Sequence, residues 1–208
     1  MRIEFEREAR AREVPIVGGL ANLPGILVAM QLSPGLGLHL RALADVLLVE
    51  DFPGSTLRRS ERELIATAVS ATNGCFFCMD THGAFAAELL RREGYDQTRD
   101  MVESMKLGIC TSLDPRLRAL TSIAHQVAQD ARLLGKQDVD AAKEAGATDG
   151  DVQLAILIAS AFCMYNRMVD GLRAKTPPDP SAYDARAREV VEYGYGAAHL
   201  SSIPALDA

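Results

Sequence analysis

The stretch ERELIATAVSATNGCFFCMDTHGAFAAELLRR, residues 61–92, predicts two helices joined by a tight turn. Apolar residues recur at helical spacing in its first half, so we expect a helix over 60–72 that stops at Asn73-Gly74. A second helix should begin at or near Cys75 and run to about Arg92, where Gly94 ends it. The Cys-x-x-Cys sequence is therefore expected at the start of a core helix.

Helical patterns also dominate the rest of the chain, and alternating strand patterns are scarce. We expect helices over 36–50, 114–134, 138–145 and 148–172, and a last amphipathic segment over 183–193. In the first of these, one face is expected to hold Leu36, Leu40, Leu43, Leu47 and Leu48. The fold class is accordingly all-α, a single-domain helical bundle over 1–208. Its core should span about 40–172, with short N-terminal helices over 1–39 and a C-terminal helical extension over 177–208.

Composition and charge restrict the possible partners and compartments. The chain is 48% hydrophobic and 24% charged, with a net charge of -6 and a pI near 5.3, which argues against nucleic-acid binding. Its N-terminus lacks the apolar segment of a secretory signal, so we expect a cytoplasmic protein. The longest apolar run, over 154–165, is too short to cross a membrane and predicts a buried helix.

The cysteine helix places chemically useful groups on one face. Cys75, Cys78, His82, Phe85 and Leu89 follow helical spacing, and the two apolar members favour an inward orientation. Cys78 and His82 are one turn apart, so the imidazole can accept the thiol proton. The first turn of a helix also favours a thiolate. The spacing therefore predicts a buried thiol with its own base.

Two alternatives remain open from spacing alone. Glu63 could orient His82, or it could close a capping box with Ser60 at the start of the preceding helix. Cys75, Cys78, His82 and Glu63 could instead be zinc ligands, although no second Cys-x-x-Cys or His pair completes a typical structural site. The isolated Cys110 and Cys163 are interpreted as core residues.

The pattern Glu63-x11-Cys75-Phe-Phe-Cys78-x3-His82 resembles the AhpD-like alkylhydroperoxidases of the carboxymuconolactone decarboxylase superfamily. It is most similar to the peroxidase-related branch. The sequence AFCMYNRMVDGL, near residues 161–172, resembles a later helix of that branch. The resemblance covers about residues 40–172. It implies an all-helical fold that assembles as a homo-oligomer, whether trimer, hexamer or dimer-based.

The resemblance also implies a thiol-dependent peroxidase with no cofactor or metal. Cys78 would be the peroxidatic thiol, Cys75 the resolving thiol, His82 the base and Glu63 the end of the proton relay. A hydroperoxide would be the substrate, and a dithiol or lipoyl-type protein the reductant. Phe76 and Phe77 depart from relatives that carry a polar residue between the cysteines, which could slow turnover or favour an apolar hydroperoxide.

Two other functions remain as alternatives. One is a metal- or small-ligand-binding helical protein whose cysteine pair is not catalytic. The other is a lyase like the decarboxylase relatives, but those lack the dithiol.

Overall fold

The computed structural model describes residues 23–108 and 113–197, and within these ranges the chain is helical with no strand beyond one isolated bridge between Pro24 and Lys175. The described helices are α1 (Ile26–Leu32), α2 (Pro34–Leu48), α3 (Arg59–Thr72), α4 (Phe76–Arg92), α5 (Thr98–Lys106), α6 (Pro115–Asp130), α7 (Lys136–Glu144), α8 (Asp149–Gly171) and α9 (Asp184–Ala197). Short 3-10 turns occupy Ala131–Leu133 and Pro180–Tyr183. The all-α prediction is confirmed.

The two helices predicted from the opening stretch form where the sequence places them. Helix α3 is followed by Asn73 and by Gly74, whose φ of 71° reverses the chain in a conformation that glycine adopts without strain. Cys75 is the N-cap of α4, and Gly94, with a φ of 89°, follows the end of that helix. Helices α3 and α4 pack against each other more extensively than any other pair of described elements.

The main core lies where α3, α6 and α8 meet. Leu64 and Ile65 of α3, Leu120 of α6, and Leu154 and Ile158 of α8 are at most 1% exposed. Burial of each such side chain contributes about 1.5–3 kcal/mol relative to exposure. This packing fixes the orientation of α3, and its remaining face meets the cysteine helix.

Asp151, at the start of α8, ties the loop before α3 to the core. Its carboxylate accepts hydrogen bonds from the Ser55 hydroxyl at 2.8 Å and from the backbone N–H groups of Thr56, Leu57 and Thr148 at 2.6, 3.1 and 3.0 Å. Burial acts to raise the pKa of Asp151, but these hydrogen bonds outweigh it and lower the pKa to about 2. The loop that leads into α3 is therefore held by a buried carboxylate.

Helix α8 is 23 residues long and, among the described helices, is the candidate for a membrane span by length and composition. Half of its apolar window is nevertheless buried inside the fold. Leu154, Ile158 and Phe162 lie in the protein core at no more than 1% exposure. The predicted apolar core helix is thus found, and it is longer than the apolar run that indicated it.

Three details of the sequence prediction are wrong or incomplete. Leu36 and Leu43 are 43% and 37% exposed, because only the Leu40, Leu47 and Leu48 side of α2 faces the protein. Helix α5 was not predicted, since its apolar residues are few and a buried ion pair from Lys106 to Asp80, at 3.0 Å, helps to hold it. The last helix extends four residues beyond the predicted end, through a kink at Gly194.

Some predictions lie outside the described residues. These are Cys110, the short helices expected before residue 23 and the end of the C-terminal extension after 197. Cys163, the other isolated cysteine, is half-buried and packs against the edge of the core.

Candidate active site

Glu63 and His82 form a buried pair between α3 and α4. The imidazole Nδ1 lies 2.7 Å from Glu63 Oε2, and the two side chains are only 1% and 11% exposed. Such a short contact between a carboxylate and an imidazole fixes the orientation of the ring. The structure therefore brings together the two relay residues that the sequence suggested.

The alternative interpretation of Glu63 as a helix cap is wrong. Helix α3 begins one residue earlier than expected, and Glu61 Oε2 accepts the hydrogen bond from the N-cap amide of Arg58 at 2.8 Å. Ser60 instead donates to Glu93 at 3.0 Å. Glu63 lies two residues further along α3, so its carboxylate is available to His82.

Tyr195 is a third member of this cluster that the sequence analysis missed. Its hydroxyl donates to Glu63 Oε1 at 2.6 Å and lies 3.2 Å from His82 Nδ1. Burial, followed by the neighbouring Glu63 carboxylate, raises the pKa of Tyr195 well above its usual value. The phenol therefore stays protonated and acts as a hydrogen-bond donor to Glu63.

A backbone kink delivers Tyr195 to the site. Gly194 has a φ of 78° and a ψ of -178°, which breaks the helical path of α9. Asp45 of α2 then accepts hydrogen bonds from the backbone N–H groups of Tyr195 and Gly196 at 2.6 and 2.7 Å. A Gly-Tyr-Gly sequence after a helical run is a signal of such a turn, but it does not identify the contact with Glu63.

These contacts determine which His82 nitrogen carries the proton. Glu63 is an acceptor, and the Tyr195 hydroxyl directs its own proton to that carboxylate. His82 Nδ1 must then carry a hydrogen to bond with Glu63 at 2.7 Å. In the neutral ring, Nε2 is then left as a hydrogen-bond acceptor.

Cys75 and Cys78 are both free and buried, at 0% and 2% exposure. The pKa of the Cys75 thiol is raised, first by its hydrogen bond with Cys78 and then by burial, with the negative charge of Asp170 adding to the effect. Cys75 therefore holds its proton more tightly than an ordinary thiol does.

Cys78 and His82 line one cavity of about 80 Å³, together with Phe77 and Tyr195. Cys75 is not among the described residues that line it. Phe162 packs edge-on against the His82 ring, with their centroids 4.5 Å apart. The cavity wall thus includes one thiol and one imidazole, while the second thiol is buried and is not part of this wall.

The described part of the chain contains no group of three His, Cys, Asp or Glu side chains arranged to hold a metal ion. Glu63 is directed to His82 and Tyr195, and Nδ1 of His82 is directed to Glu63. The zinc alternative therefore finds no support in the arrangement of its four candidate ligands.

Residues 37–93 match the model of the Carboxymuconolactone decarboxylase family. This segment contains Glu63, both cysteines and His82 but not Tyr195. No curated protein matches the chain significantly.

Solved structures provide the comparison of folds. An uncharacterised peroxidase-related protein from Ralstonia eutropha JMP134, described as an alkylhydroperoxidase AhpD core, superposes with a TM-score of 0.67 at 23% identity, over 79% of this chain and 81% of its own. An uncharacterised peroxidase-related protein from Silicibacter sp. TM1040 gives the same four values. A protein of unknown function from Agrobacterium tumefaciens, whose name refers to antioxidant defence and AhpD, has a TM-score of 0.58 at 20% identity, over 72% and 95% of the two chains. The family match and the shared fold confirm the predicted resemblance.

Proposed function

For a chain with the AhpD-like fold and a carboxymuconolactone decarboxylase family segment, we propose a thiol-dependent hydroperoxide reductase. The observation that carries the proposal is the shared cavity of Cys78 and His82, with His82 Nδ1 held by Glu63 at 2.7 Å. A thiol needs a base to become a nucleophile, and the base needs a partner that stabilises its charge. Cys78 and His82 are one turn apart on α4, and Glu63 reaches His82 from α3.

In the first step, His82 takes the proton of Cys78. The thiolate attacks the terminal oxygen of the hydroperoxide, the O–O bond breaks, and the sulfur is oxidised to a sulfenic acid. The leaving alkoxide takes the proton back from His82 and departs as an alcohol. Glu63 stabilises the imidazolium between these two transfers.

In the second step, the Cys75 sulfur attacks the sulfenic sulfur of Cys78. A disulfide forms, and the hydroxyl leaves as water with the proton that Cys75 gives up. The raised pKa of Cys75 supports this order, because the resolving thiol stays protonated while Cys78 reacts first. The sum is one hydroperoxide and two thiols converted to one alcohol, one water and one disulfide.

An external dithiol must reduce the disulfide before the next turnover, and a lipoyl-type or other dithiol protein would supply it. This requirement suits a reducing compartment such as the cytoplasm. Cys75 is fully buried and does not line the cavity, whereas Cys78 does, so the reductant is expected to attack the Cys78 sulfur.

A homo-oligomer is part of the same proposal. Leu36, Leu43 and Val46 share one side of α2 and are 43%, 37% and 42% exposed, which is unusual for neighbouring apolar side chains. A second copy of the chain would cover this side. Light scattering should give a mass above that of one chain, and Leu43→Glu should lower it, whereas Leu133→Glu on a separate exposed leucine should not.

The experiment that tests the peroxidase is a single-turnover reaction of the reduced protein with tert-butyl hydroperoxide. We expect the loss of two thiols per chain and a Cys75–Cys78 disulfide in peptide mapping. In Cys75→Ser, dimedone should capture a sulfenic acid at Cys78. Cys163→Ser, which removes a half-buried thiol outside the cavity, should react like the parent. A Cys78→Ser protein that consumes hydroperoxide at the parental rate would refute the assignment.

The family match keeps a lyase as a second candidate. Lyase chemistry on a lactone leaves the thiols reduced. Lactone conversion that persists in Cys75→Ser and Cys78→Ser, without any disulfide, would favour that candidate.

A further inference from the structure

We propose that the cavity takes small organic hydroperoxides that carry an acid group, and that Arg41 and Arg186 bind this group. The proposal rests on the proposed peroxidase and names the class of its substrate. It comes from the charges of the cavity wall, which the thiol chemistry itself does not use.

The cavity wall is mostly apolar, with two cationic side chains. Arg41 from α2 and Arg186 from α9 line the cavity that also contains Cys78 and His82. Apolar side chains such as Ile26 and Leu40 make up much of the remaining wall. A ligand that matches this surface has an apolar body with one anionic end.

Arg41 is half-buried, and no hydrogen bond or ion pair to its guanidinium is found among residues 23–108 and 113–197. Arg186 bonds to Glu189 at 3.1 Å, and its side chain is only 11% exposed. Burial lowers the pKa of Arg186, and the charge of Arg41 lowers it further against the opposing effect of Glu189. Two guanidinium groups close enough to repel each other would both gain from an anion near them.

The cavity also contains a hydroxyl that makes no hydrogen bond in the described structure. The Thr81 hydroxyl is buried and makes no hydrogen bond, although Thr81 lines the cavity three residues after Cys78. Burying a hydroxyl without a partner is unfavourable, and a bound ligand oxygen would supply the missing hydrogen bond. The hydroperoxide group, which reacts at Cys78, is the suitable partner.

The cavity volume of about 80 Å³ favours a compact apolar body of a few carbon atoms. Suitable probes are 4-hydroperoxy-4-methylpentanoate and its methyl ester, which share the same tertiary hydroperoxide and differ in charge. For each compound, the rate constant for oxidation of Cys78 is divided by its rate constant for oxidation of glutathione. The measured quantity is the ratio of the value for the acid to the value for the ester.

A carboxylate held by a guanidinium gains about 1.5–3 kcal/mol, so the acid should react about ten to a hundred times faster than the ester in the parent protein. Arg41→Gln should reduce this preference about tenfold or more. Arg132→Gln, the same substitution at a side chain that is 89% exposed, should leave the preference unchanged. Raising the salt concentration should lower the preference in the parent.

The outcomes separate this proposal from the peroxidase. If the acid and the ester both oxidise Cys78 much faster than glutathione and at equal rates, the peroxidase stands and the acid site is refuted. If neither hydroperoxide oxidises Cys78 faster than it oxidises glutathione, the proposed peroxidase function is refuted. The acid site is then tested by a binding experiment. In that case 4-methylpentanoate should slow the alkylation of Cys78 by iodoacetamide more than 4-methylpentanamide does, and Arg41→Gln should abolish the difference. Equal protection by the two compounds would overturn the acid site.

Discussion

Replacing Tyr195 by Phe removes one hydroxyl from the centre of the site and leaves the rest of the cluster in place. The lost bond is the 2.6 Å donation to Glu63 Oε1. Asp45 binds the backbone of residue 195, so the ring should keep its position beside His82. The variant therefore tests the hydroxyl rather than the path of α9.

The structure sets the size of the effect. Glu63 is 1% exposed, so water cannot replace the lost donor without opening the site. A hydrogen bond to a charged group contributes about 1.5–3 kcal/mol. If about 2 kcal/mol of this holds Glu63 and His82 in the reactive geometry, oxidation of Cys78 should slow about thirtyfold.

The assay is rapid mixing of reduced protein with tert-butyl hydroperoxide, followed by acid quenching and thiol counting. Tyr193→Phe is the matched control, because this neighbouring tyrosine is 66% exposed. Denaturant unfolding of both variants separates stability from reactivity. A Tyr195→Phe protein that is less stable yet reacts at the parental rate would show that the phenol only supports the fold. A protein unchanged in both measurements would refute the argument from geometry.

Three further predictions use the same measurements. Glu63→Gln should slow Cys78 oxidation by tenfold or more, because a neutral amide does not stabilise the His82 imidazolium; a parental rate would exclude Glu63 from the relay. Gly194→Ala should lower the unfolding free energy by about 1 kcal/mol or more and slow the oxidation of Cys78, because the φ of Gly194 is 78° and an added Cβ would lie 2.9 Å from Asp45 Oδ1. Gly171→Ala is the control, because a Cβ at Gly171 would have no neighbour within 4 Å. Asp151→Asn should lower the unfolding free energy by about 2 kcal/mol at pH 7, because the native pKa of Asp151 is about 2 and its usual value is 3.8. The ionised carboxylate therefore stabilises the fold above pH 4. Urea titrations should show the difference between parent and variant disappearing as the pH falls from 4 to 2. A difference that persists at pH 2 would mean that the charge is not responsible.

The parts of the site that sequence reasoning found are those with local causes. Cys78 and His82 lie one turn apart on a helix whose start is marked by Asn73-Gly74, and Cys75 is the N-cap of that helix, so local spacing places these residues near one another. Glu63 comes from the helix immediately before, and two helices joined by a short turn have to pack side by side. The choice between a cap and a relay depended on where α3 begins, and helix ends are the least reliable part of such predictions.

Tyr195 was beyond this reasoning for a physical reason. It lies 132 residues from Glu63 and reaches it through a single glycine conformation and the two amide contacts of Asp45. A periodic pattern describes the α9 face before Gly194 but says nothing about the direction of the chain after it. Helix α5 was missed because a buried Lys106–Asp80 pair replaces part of the apolar face that a pattern search requires.

Phe77, which lies between the two cysteines in sequence, and the distant Tyr195 line the same cavity. Phe77 forms part of the apolar cavity wall, so this position cannot also supply a proton donor to the relay. Tyr195 supplies a phenol from α9, with its hydroxyl 3.2 Å from His82 Nδ1. Tyr195 lines the same cavity as Cys78 and His82, so in the proposed mechanism its phenol supplies the polar group that the residues between the cysteines lack. In the proposed mechanism, Phe77 adds to the apolar wall of the cavity, and the proton pathway runs through His82, Glu63 and Tyr195.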